Sequence, residues 1–467
     1  MKPFIAIMKQ TIRSATRSKV FHVLFIFILL AVFLLPVTVS GDGTAIGLVQ
    51  ISLTYSLNVV VALISITTLW LSCSLLSREV ENYNIHMVVS KPCPRWILWM
   101  GKWFGVFLMH SIILIVSATI IYGLILWRVH KGQFSETELK RLNQEILVGR
   151  REYKPEILNI HDEVEAAYLK KRFELAEGHD VAKVKRSLGE AIAKRKSEIK
   201  PGETRDWNFR GVALGKDTDM ISLRYRIYSG SATDTNQYLI PCQWGFRLPE
   251  EAKKVADPFG MVPLSVLGGT FQEMPVLAKQ VVDTENQGAV VVRFKNMPAE
   301  YWKMKEAPSV VIQSADDPVL LAKISGFLSN YIRSMILAIF QIAFLAALGT
   351  TVGALFSTPV AAFVAISYLI IGLSVNMAIS APLKMNGVYQ YKSVTQKCLH
   401  YFARGLGTVV VSVGDLDATS DLANGRLVEY SRLGQAFLTL LLLRSGLIAG
   451  FGIWILSRRQ LGLVIKK

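Results

Sequence analysis

The chain has 467 residues, of which 51% are apolar, and this share predicts a membrane protein rather than a soluble domain. The net charge of +17 raises the question of nucleic-acid binding, but eleven of these charges lie in three short segments, 1–20, 77–102 and 457–467. The long region 131–324 holds 30 basic and 28 acidic residues and is almost neutral. The charge therefore indicates the positive-inside rule of membrane topology and argues against a nucleic-acid partner.

Residues 1–19 are predicted to form an amphipathic helix on the cytoplasmic membrane face. Its apolar stripe is Phe4, Ile5, Met8 and Ile12, and its basic stripe is Lys9, Arg13 and Arg17. Lysines and arginines beside an apolar stripe suit the lipid headgroup region, so the membrane itself is an expected partner. A plain basic flank of the first span is the alternative interpretation.

Six apolar runs are long enough to cross a bilayer as helices. They are 20–39, 51–76, 96–127, 334–356, 359–379 and 434–456. The third run is too long for one span, so its helix is expected to continue beyond the bilayer. The first run is expected to be a retained span rather than a signal peptide, because the segment after Leu35 lacks a small-x-small cleavage pattern.

An even number of spans and basic segments at both ends predict that both termini are cytoplasmic. The fold class is therefore a membrane α-helical bundle with six transmembrane helices and an extracytoplasmic α+β insertion. Spans one to three occupy 20–127 and include a cytoplasmic segment at 77–95, whereas spans four to six occupy 326–467. The insertion and the loop 381–433 are placed outside the cytoplasm.

The insertion is predicted to have a helical part, 128–206, and a β-rich part, 207–325. Mixed-charge helical patterns in 135–200 favour a helical hairpin or stalk. Short alternating segments favour a small β-sandwich, and they are 221–228, 238–246, 289–294 and 310–313. The aromatic residues of this part are candidates for a stacking platform or, more simply, for its core: Trp207, Trp244, Tyr301 and Trp302.

The sequence contains no motif that would make this chain an enzyme. The segment Gly211–Asp217 resembles a phosphate-binding loop, but it has three residues between its glycines and an aspartate after its lysine. No zincin or nucleophile-elbow motif and no C-x-x-C pair is present. We therefore expect no metal and no bound cofactor. Cys242 and Cys398 are either bridged or two unpaired thiols.

Polar side chains within the predicted spans are costly and are candidate functional groups. They are Arg444, His110, Asn58 and Asn376. Arg444 can line a path for an anionic headgroup, pair with a polar neighbour between subunits, or extend toward the membrane interface. For His110, a packed and hydrogen-bonded side chain is the simpler interpretation.

The segment between the second and third spans resembles the coupling segment of the ABC type-2 permease family. In that family, Arg-Glu after the second span is followed by a Ser-x-Pro-x-x-Arg motif and a Gly-Lys pair. The matching residues are Arg78, Glu79, Ser90, Pro92, Arg95, Gly101 and Lys102, and Glu81 and Lys91 lie among them. Two further segments, 330–359 and 415–425, resemble the fourth span and the approach to the last span of such permeases.

This resemblance implies a permease subunit of an ATP-binding-cassette transporter, expected to be an exporter, in a bacterial cytoplasmic (inner) membrane. Its partners would be separate cytoplasmic ATPase subunits, which hold ATP and Mg²⁺, and a second permease copy or paralogue. The assigned coupling residues are Arg78, Glu79, Glu81, Ser90, Lys91, Pro92, Arg95 and Lys102. The alternative function is an ABC-type mechanical or scaffolding complex whose external domain binds an envelope protein or a glycan without transporting solute.

Overall fold

The computed structural model describes 2–39, 41–82, 93–156, 161–174, 181–215, 218–230, 239–247, 262–283, 287–301, 307–313, 316–380, 383–385, 388–390, 393–409 and 419–458. The chain divides into two compact units. The first, the helical unit, comprises 1–149, 325–382 and 392–467, and the second, the strand-rich unit, comprises 150–324 and 383–391.

Within the described residues, six helices are long and apolar enough to cross a membrane, as predicted for a multi-pass membrane protein. They are α2 (Lys19–Thr38), α3 (Ala45–Glu81), α4 (Arg95–Lys131), α9 (Phe327–Leu355), α10 (Thr358–Ser380) and α13 (Tyr430–Arg458). These are the first to sixth spans. They are preceded by α1 (Lys2–Thr16), which is separated from the first span by a two-residue turn.

The second and third spans are longer than their apolar runs, with 37 residues each. The sequence assigns Ser77–Lys102 to a polar helix-plus-turn between two apolar runs. In the structure, Ser77–Glu81 completes the second helix and Arg95–Lys102 begins the third. Their polar residues are helical and belong to the ends of the spans. Residues 83–92, which include Ser90, Lys91 and Pro92, lie outside the described residues.

The fourth span lies at the centre of the helical unit and packs closely against the second. Ser72 and Cys73 of the second span contact the fourth at Gly349 and Gly353, where no side chain separates the two helices. Small residues at such contacts allow two helix backbones to approach closely. Most of the fourth span is buried, whereas the first, fifth and sixth spans expose most of their apolar surface.

The sixth span is not a regular α-helix throughout. Residues Phe437–Arg444 form a π-helical segment between two α-helical parts, and the Ser445 hydroxyl donates to the Leu440 carbonyl five residues back. Three further helices of the helical unit are α5 (Glu136–Glu145), α11 (Val394–Val409) and α12 (Thr419–Ala423). Ser135 caps the first of these through a capping box with Glu138.

Among the described residues, eleven strands between Val148 and Gly326 lie within or at the border of the strand-rich unit. They are β1 (Val148–Tyr153), β2 (Glu198–Ile199), β3 (Thr204–Phe209), β4 (Met220–Tyr225), β5 (Tyr228–Ser229), β6 (Leu239–Arg247), β7 (Val262–Leu267), β8 (Gln272–Leu277), β9 (Val290–Asn296), β10 (Val310–Val311) and β11 (Val319–Gly326). Two four-stranded sheets have the orders β1-β11-β4-β8 and β3-β9-β6-β7. A three-stranded sheet has the order β2-β10-β5. A short helix, α8 (Ala278–Val281), follows β8.

One hydrophobic core joins the two four-stranded sheets of this unit. Tyr225 and Trp244 come from different sheets, and their ring centroids are 4.7 Å apart. Trp207 and Trp244 are buried in this core, so they are not an exposed stacking platform. Tyr301 is exposed, and Trp302 lies outside the described residues.

The helical part of the insertion is only partly helical. Two helices of the strand-rich unit, α6 (His161–Lys171) and α7 (Val181–Ser197), pack together and are tied by ion pairs from Lys185 to Glu165 and from Lys196 to Glu163. However, β1 lies within the stretch predicted to be helical. Its six residues carry no clear alternation, and their partner β11 is far away in sequence, so only the sheet defines this strand.

A short hairpin, β12 (Leu383–Met385) and β13 (Val388–Gln390), also groups with the strand-rich unit. All four cysteines are free thiols, so Cys242 and Cys398 are two unpaired cysteines in this structure. Burial in the core raises the pKa of the Cys242 thiol to about 12.

Candidate functional site

The polar residues that flank the second-to-third-span connection form the most extensive cluster of assigned site residues. Glu79 and Lys102 form an ion pair between the end of the second span and the start of the third. The Lys102 side chain is 2% exposed and the Glu79 side chain 14% exposed. A charge pair this deeply buried holds the two helix ends together, because separating it would leave a charge without compensation.

Glu81 binds the beginning of the fifth span. Its Oε1 accepts a hydrogen bond of 2.9 Å from the Thr358 amide, and its Oε2 accepts one of 3.2 Å from the Thr358 hydroxyl. Thr358 is the first residue of α10, and its hydroxyl also lies 2.9 Å from the Ser77 hydroxyl. A carboxylate at this position satisfies free amides and interacts favourably with the positive end of the helix dipole.

Arg95 binds the end of the sixth span in the complementary way. Its Nη1 donates to the Leu456 carbonyl at 2.7 Å and to the Ser457 carbonyl at 2.8 Å. These carbonyls belong to the last turn of α13, where backbone oxygens have no partner within the helix. The guanidinium therefore caps a helix that lies 361 residues away in sequence.

These contacts define one end of the helical unit, which we call the connection end. It consists of the ends of four spans joined through Glu79, Glu81, Arg95, Lys102 and Thr358. The residues that flank the connection between the second and third spans are thereby in direct contact with the ends of the fifth and sixth spans. Hydrogen bonds to charged groups are shorter and stronger than those between neutral groups, so these contacts fix the helix ends more firmly than neutral hydrogen bonds would.

Arg78 differs from its neighbours because its side chain is exposed. Its guanidinium makes no hydrogen bond or ion pair with the described part of the chain. It is therefore the assigned coupling residue that is best placed to contact another protein, whereas Glu79 and Lys102 are paired with each other inside the unit.

Arg444 lies at the last residue of the π-helical segment and is half-buried. Its Nη2 donates to the Gly407 carbonyl at 2.8 Å, in the last turn of α11. Gly407 lies close to Val375 and Ile379 in the second half of the fifth span. The arginine thus extends along the bundle to cap a neighbouring helix, and the π-helical backbone precedes it directly.

Asn58 and His110 have polar partners other than Arg444. Asn58 accepts a hydrogen bond from the Thr419 hydroxyl and ties the second span to α12. His110 is fully buried; its Nδ1 lies 3.0 Å from the Val106 carbonyl, and its Nε2 has no hydrogen-bond partner among the described residues. Asn376 lies in the fifth span, but its side chain is outside the described residues.

The 330–359 segment contributes a second polar cluster, at the beginning of the fourth span. The buried Asn330 amide donates to the Arg426 carbonyl at 2.7 Å and accepts from the Val428 amide at 2.8 Å. Arg333 stacks on the Tyr430 ring at 3.9 Å. These residues fix the chain as it enters the sixth span.

Sequence reasoning missed Thr358 and the carbonyls of the last turn. Ser357-Thr358-Pro359 is a helix-start pattern that could have suggested Thr358. The Leu456 and Ser457 carbonyls could not be identified from the sequence, because a backbone carbonyl is common to every residue.

In comparisons with family models, curated proteins and solved structures, no match to this chain was found. Among the described residues, no group of three or more His, Cys, Asp and Glu side chains could hold a metal ion.

Proposed function

We propose that this chain is the permease subunit of an ATP-binding-cassette transporter, driven by separate cytoplasmic ATPase subunits. The observation that carries the proposal is the connection end, where four spans meet at the flanks of one short polar connection. The ABC type-2 resemblance of Arg78, Glu79, Arg95, Gly101 and Lys102 lies at this place. An ATPase that moved the connection would act on all four spans at once.

In this proposal, the connection end faces the cytoplasm, and both termini are cytoplasmic, in a bacterial inner membrane. The strand-rich unit is then an extracytoplasmic domain with a β-sandwich core. ATP and Mg²⁺ bind to the ATPase subunits. The apolar surfaces of the first, fifth and sixth spans are available to lipid and to a second permease copy or paralogue.

ATP-driven closure of the ATPase subunits would displace the connection, and the helix-end contacts of Glu81 and Arg95 would carry this displacement into the fifth and sixth spans. Movement of these spans relative to the central fourth span would switch access to a path through the bundle, in the direction of export. Arg444 lies on the moving sixth span and has donors beyond the one used by Gly407. It is the proposed contact for an anionic group on that path.

The test is to measure the ATPase activity that co-purifies with the full-length chain from its native membranes. Arg78→Glu should remove most of the Mg²⁺-dependent, vanadate-sensitive hydrolysis and leave insertion unchanged. Lys170→Glu, an equally exposed charge reversal in the strand-rich unit, is the matched control and should retain the activity. Reversal of Glu79 is a poor probe because it would bury two lysines together. Equal hydrolysis in both variants would contradict the assignment.

The size of the strand-rich unit, which has a core of its own, favours one alternative: a mechanical or scaffolding complex. In that case the external domain would bind an envelope protein or a glycan, and no solute would cross. The reconstituted complex separates the two functions. Stimulation of hydrolysis by a solute that also accumulates across the membrane favours transport, whereas stimulation by a soluble envelope protein alone favours the mechanical complex.

A further inference from the structure

The N-terminal helix α1 has three distinct faces. Ile7, Thr11 and Ala15 are buried against the bundle, with exposures of 6%, 0% and 0%. At about 100° per residue, Ile5 and Ile12 lie on a second, apolar face, on which Ile5 is exposed and Ile12 packs partly against the bundle. The third face is basic and is opposite the bundle by about 180°. It consists of Lys2, Lys9 and Arg13, which Arg17 continues into the following turn, and all four side chains are exposed.

The buried face is docked on the third span through two glycines. A Cβ atom at Gly101 would lie 2.7 Å from Ile7 Cγ2, and one at Gly105 would lie 2.9 Å from Thr11 Cβ. These two glycines, one helical turn apart, form the groove in which α1 lies. The helix is therefore held against the beginning of the third span, and its basic face has a fixed direction relative to the bundle.

The first span sets the depth of α1 in the membrane. The apolar helix α2 begins at Lys19, directly after the turn at Arg17 and Ser18. Gly101 lies near the beginning of the third span, so both contacts place α1 at the boundary of the apolar layer. The apolar face at Ile5, 41% exposed, is about 70° from the basic face. A helix at this depth presents its apolar side to acyl chains and its basic side to lipid phosphates.

We propose that the basic face of α1 is a binding surface for anionic phospholipid headgroups. Residues 1–41 contain five basic residues and no acidic residue, so no intramolecular carboxylate of this segment neutralises the face. A phosphodiester with net negative charge complements a row of lysines and arginines held at headgroup depth. This surface is distinct from the proposed ATPase contact at Arg78, because its residues belong to α1 and not to the connection between the second and third spans.

The test uses the full-length chain in vesicles of phosphatidylcholine that contain trace spin-labelled phosphatidylglycerol or spin-labelled phosphatidylcholine. The motionally restricted fraction of each probe gives the relative association constant of the anionic lipid. One basic residue contributes about a fivefold preference for an anionic lipid over a neutral one. The measured preference is smaller, because it is averaged over all lipid positions around the spans. We expect the triple variant Lys9→Gln, Arg13→Gln, Arg17→Gln to lower this constant about threefold.

The matched control is Lys170→Gln, Lys171→Gln, Arg172→Gln, which removes the same charge from exposed residues of the strand-rich unit. This control should retain the wild-type constant, and the charge-conserving variant Lys9→Arg, Arg13→Lys, Arg17→Lys should retain it as well. High salt should abolish the preference of the wild-type chain for phosphatidylglycerol.

The proposal is overturned if the wild-type chain shows no preference for phosphatidylglycerol, or if the triple variant keeps this preference. An equal loss in the control would also overturn it, because the effect would then follow net charge alone. No ATPase is needed, so this outcome is independent of the proposed transport function.

Discussion

The buried Glu79–Lys102 ion pair allows a quantitative test of how the connection end is held together. Lys102→Met preserves most of the side-chain volume but removes the ammonium group. Glu79 then keeps a carboxylate that is 14% exposed, and its Oε2 already has no hydrogen-bond partner in the described chain. The carboxylate would therefore be buried without a counter-charge.

Removal of one partner from a buried ion pair costs about 3–5 kcal/mol. Because 1 kcal/mol shifts the melting temperature of a large domain by about 2 °C, we expect Lys102→Met to lower it by about 6–10 °C. The double variant Lys102→Met, Glu79→Met removes both charges and should recover most of this loss, since a buried pair is often replaceable by apolar residues of similar size.

The assay is thermal unfolding of the full-length chain in lipid nanodiscs, with maleimide labelling at each temperature. Cys73 is 1% exposed in the folded helical unit, so labelling of its peptide, measured by mass spectrometry, reports the unfolding of that unit. A melting temperature for Lys102→Met within about 1 °C of wild type would refute the reasoning, given the expected shift. A double variant as unstable as Lys102→Met would refute it equally.

Three further predictions address a helix cap, a backbone conformation and pH dependence. Glu81→Ala should expose the first turn of the fifth span. Hydrogen exchange at the Thr358 amide should then accelerate roughly fivefold, since a helix cap contributes about 1 kcal/mol. An unchanged exchange rate would contradict the capping role of Glu81. Gly288→Ala should lower the free energy of unfolding of the strand-rich unit by more than about 1 kcal/mol, because φ is +65° and the new methyl group would meet a carbonyl oxygen. Gly202→Ala has φ +81° and open space around the new methyl group, so it should lose less stability in the same calorimetric scan. The Cys242 thiol has a pKa raised from 9.0 to about 12 by burial, so the unfolded chain releases this proton first and stability should fall as pH rises from 9 toward 12. Cys242→Val should show a smaller fall in melting temperature between pH 9 and 11, and parallel pH profiles would contradict this assignment.

Hydrophobic runs were sufficient to predict the six spans, because about 20 consecutive apolar residues identify a membrane-crossing helix without knowledge of its neighbours. The ends of the helices were predicted less well. The second span continues to Glu81 and the third begins at Arg95, because the polar residues there are stabilised by contacts with other spans. A polarity pattern separates such residues from the apolar run and does not show that the same helix includes them.

The strands show the same limit. β4, β6 and β9 alternate or are strongly apolar, and each overlaps a predicted strand. β1 and β11 were not predicted, since the first begins with Val-Gly-Arg-Arg and the second is continuous with the fourth span. Their pairing in one sheet supplies the hydrogen bonds that their own sequences do not indicate.

The intramembrane residues were identified by their chemistry, but their roles came from their neighbours. A charged or amide side chain in an apolar run is visible in any sequence, and it must find a partner because the surroundings offer no water. The partner of Arg444 is a backbone carbonyl of α11, and the partner of Asn58 is a hydroxyl of α12. Neither pairing follows from spacing.

The sequence by itself determined the membrane class, the number of spans and the presence of a polar connection between the second and third spans, because these properties depend on local composition and charge. Only the tertiary structure decided that this connection is tied to the fifth and sixth spans. Glu81 reaches Thr358 across 277 residues, and Arg95 reaches Leu456 across 361. The physical reason is that the accepting and donating groups there are mainly backbone amides and carbonyls, which every residue carries and which become available only where a helix ends.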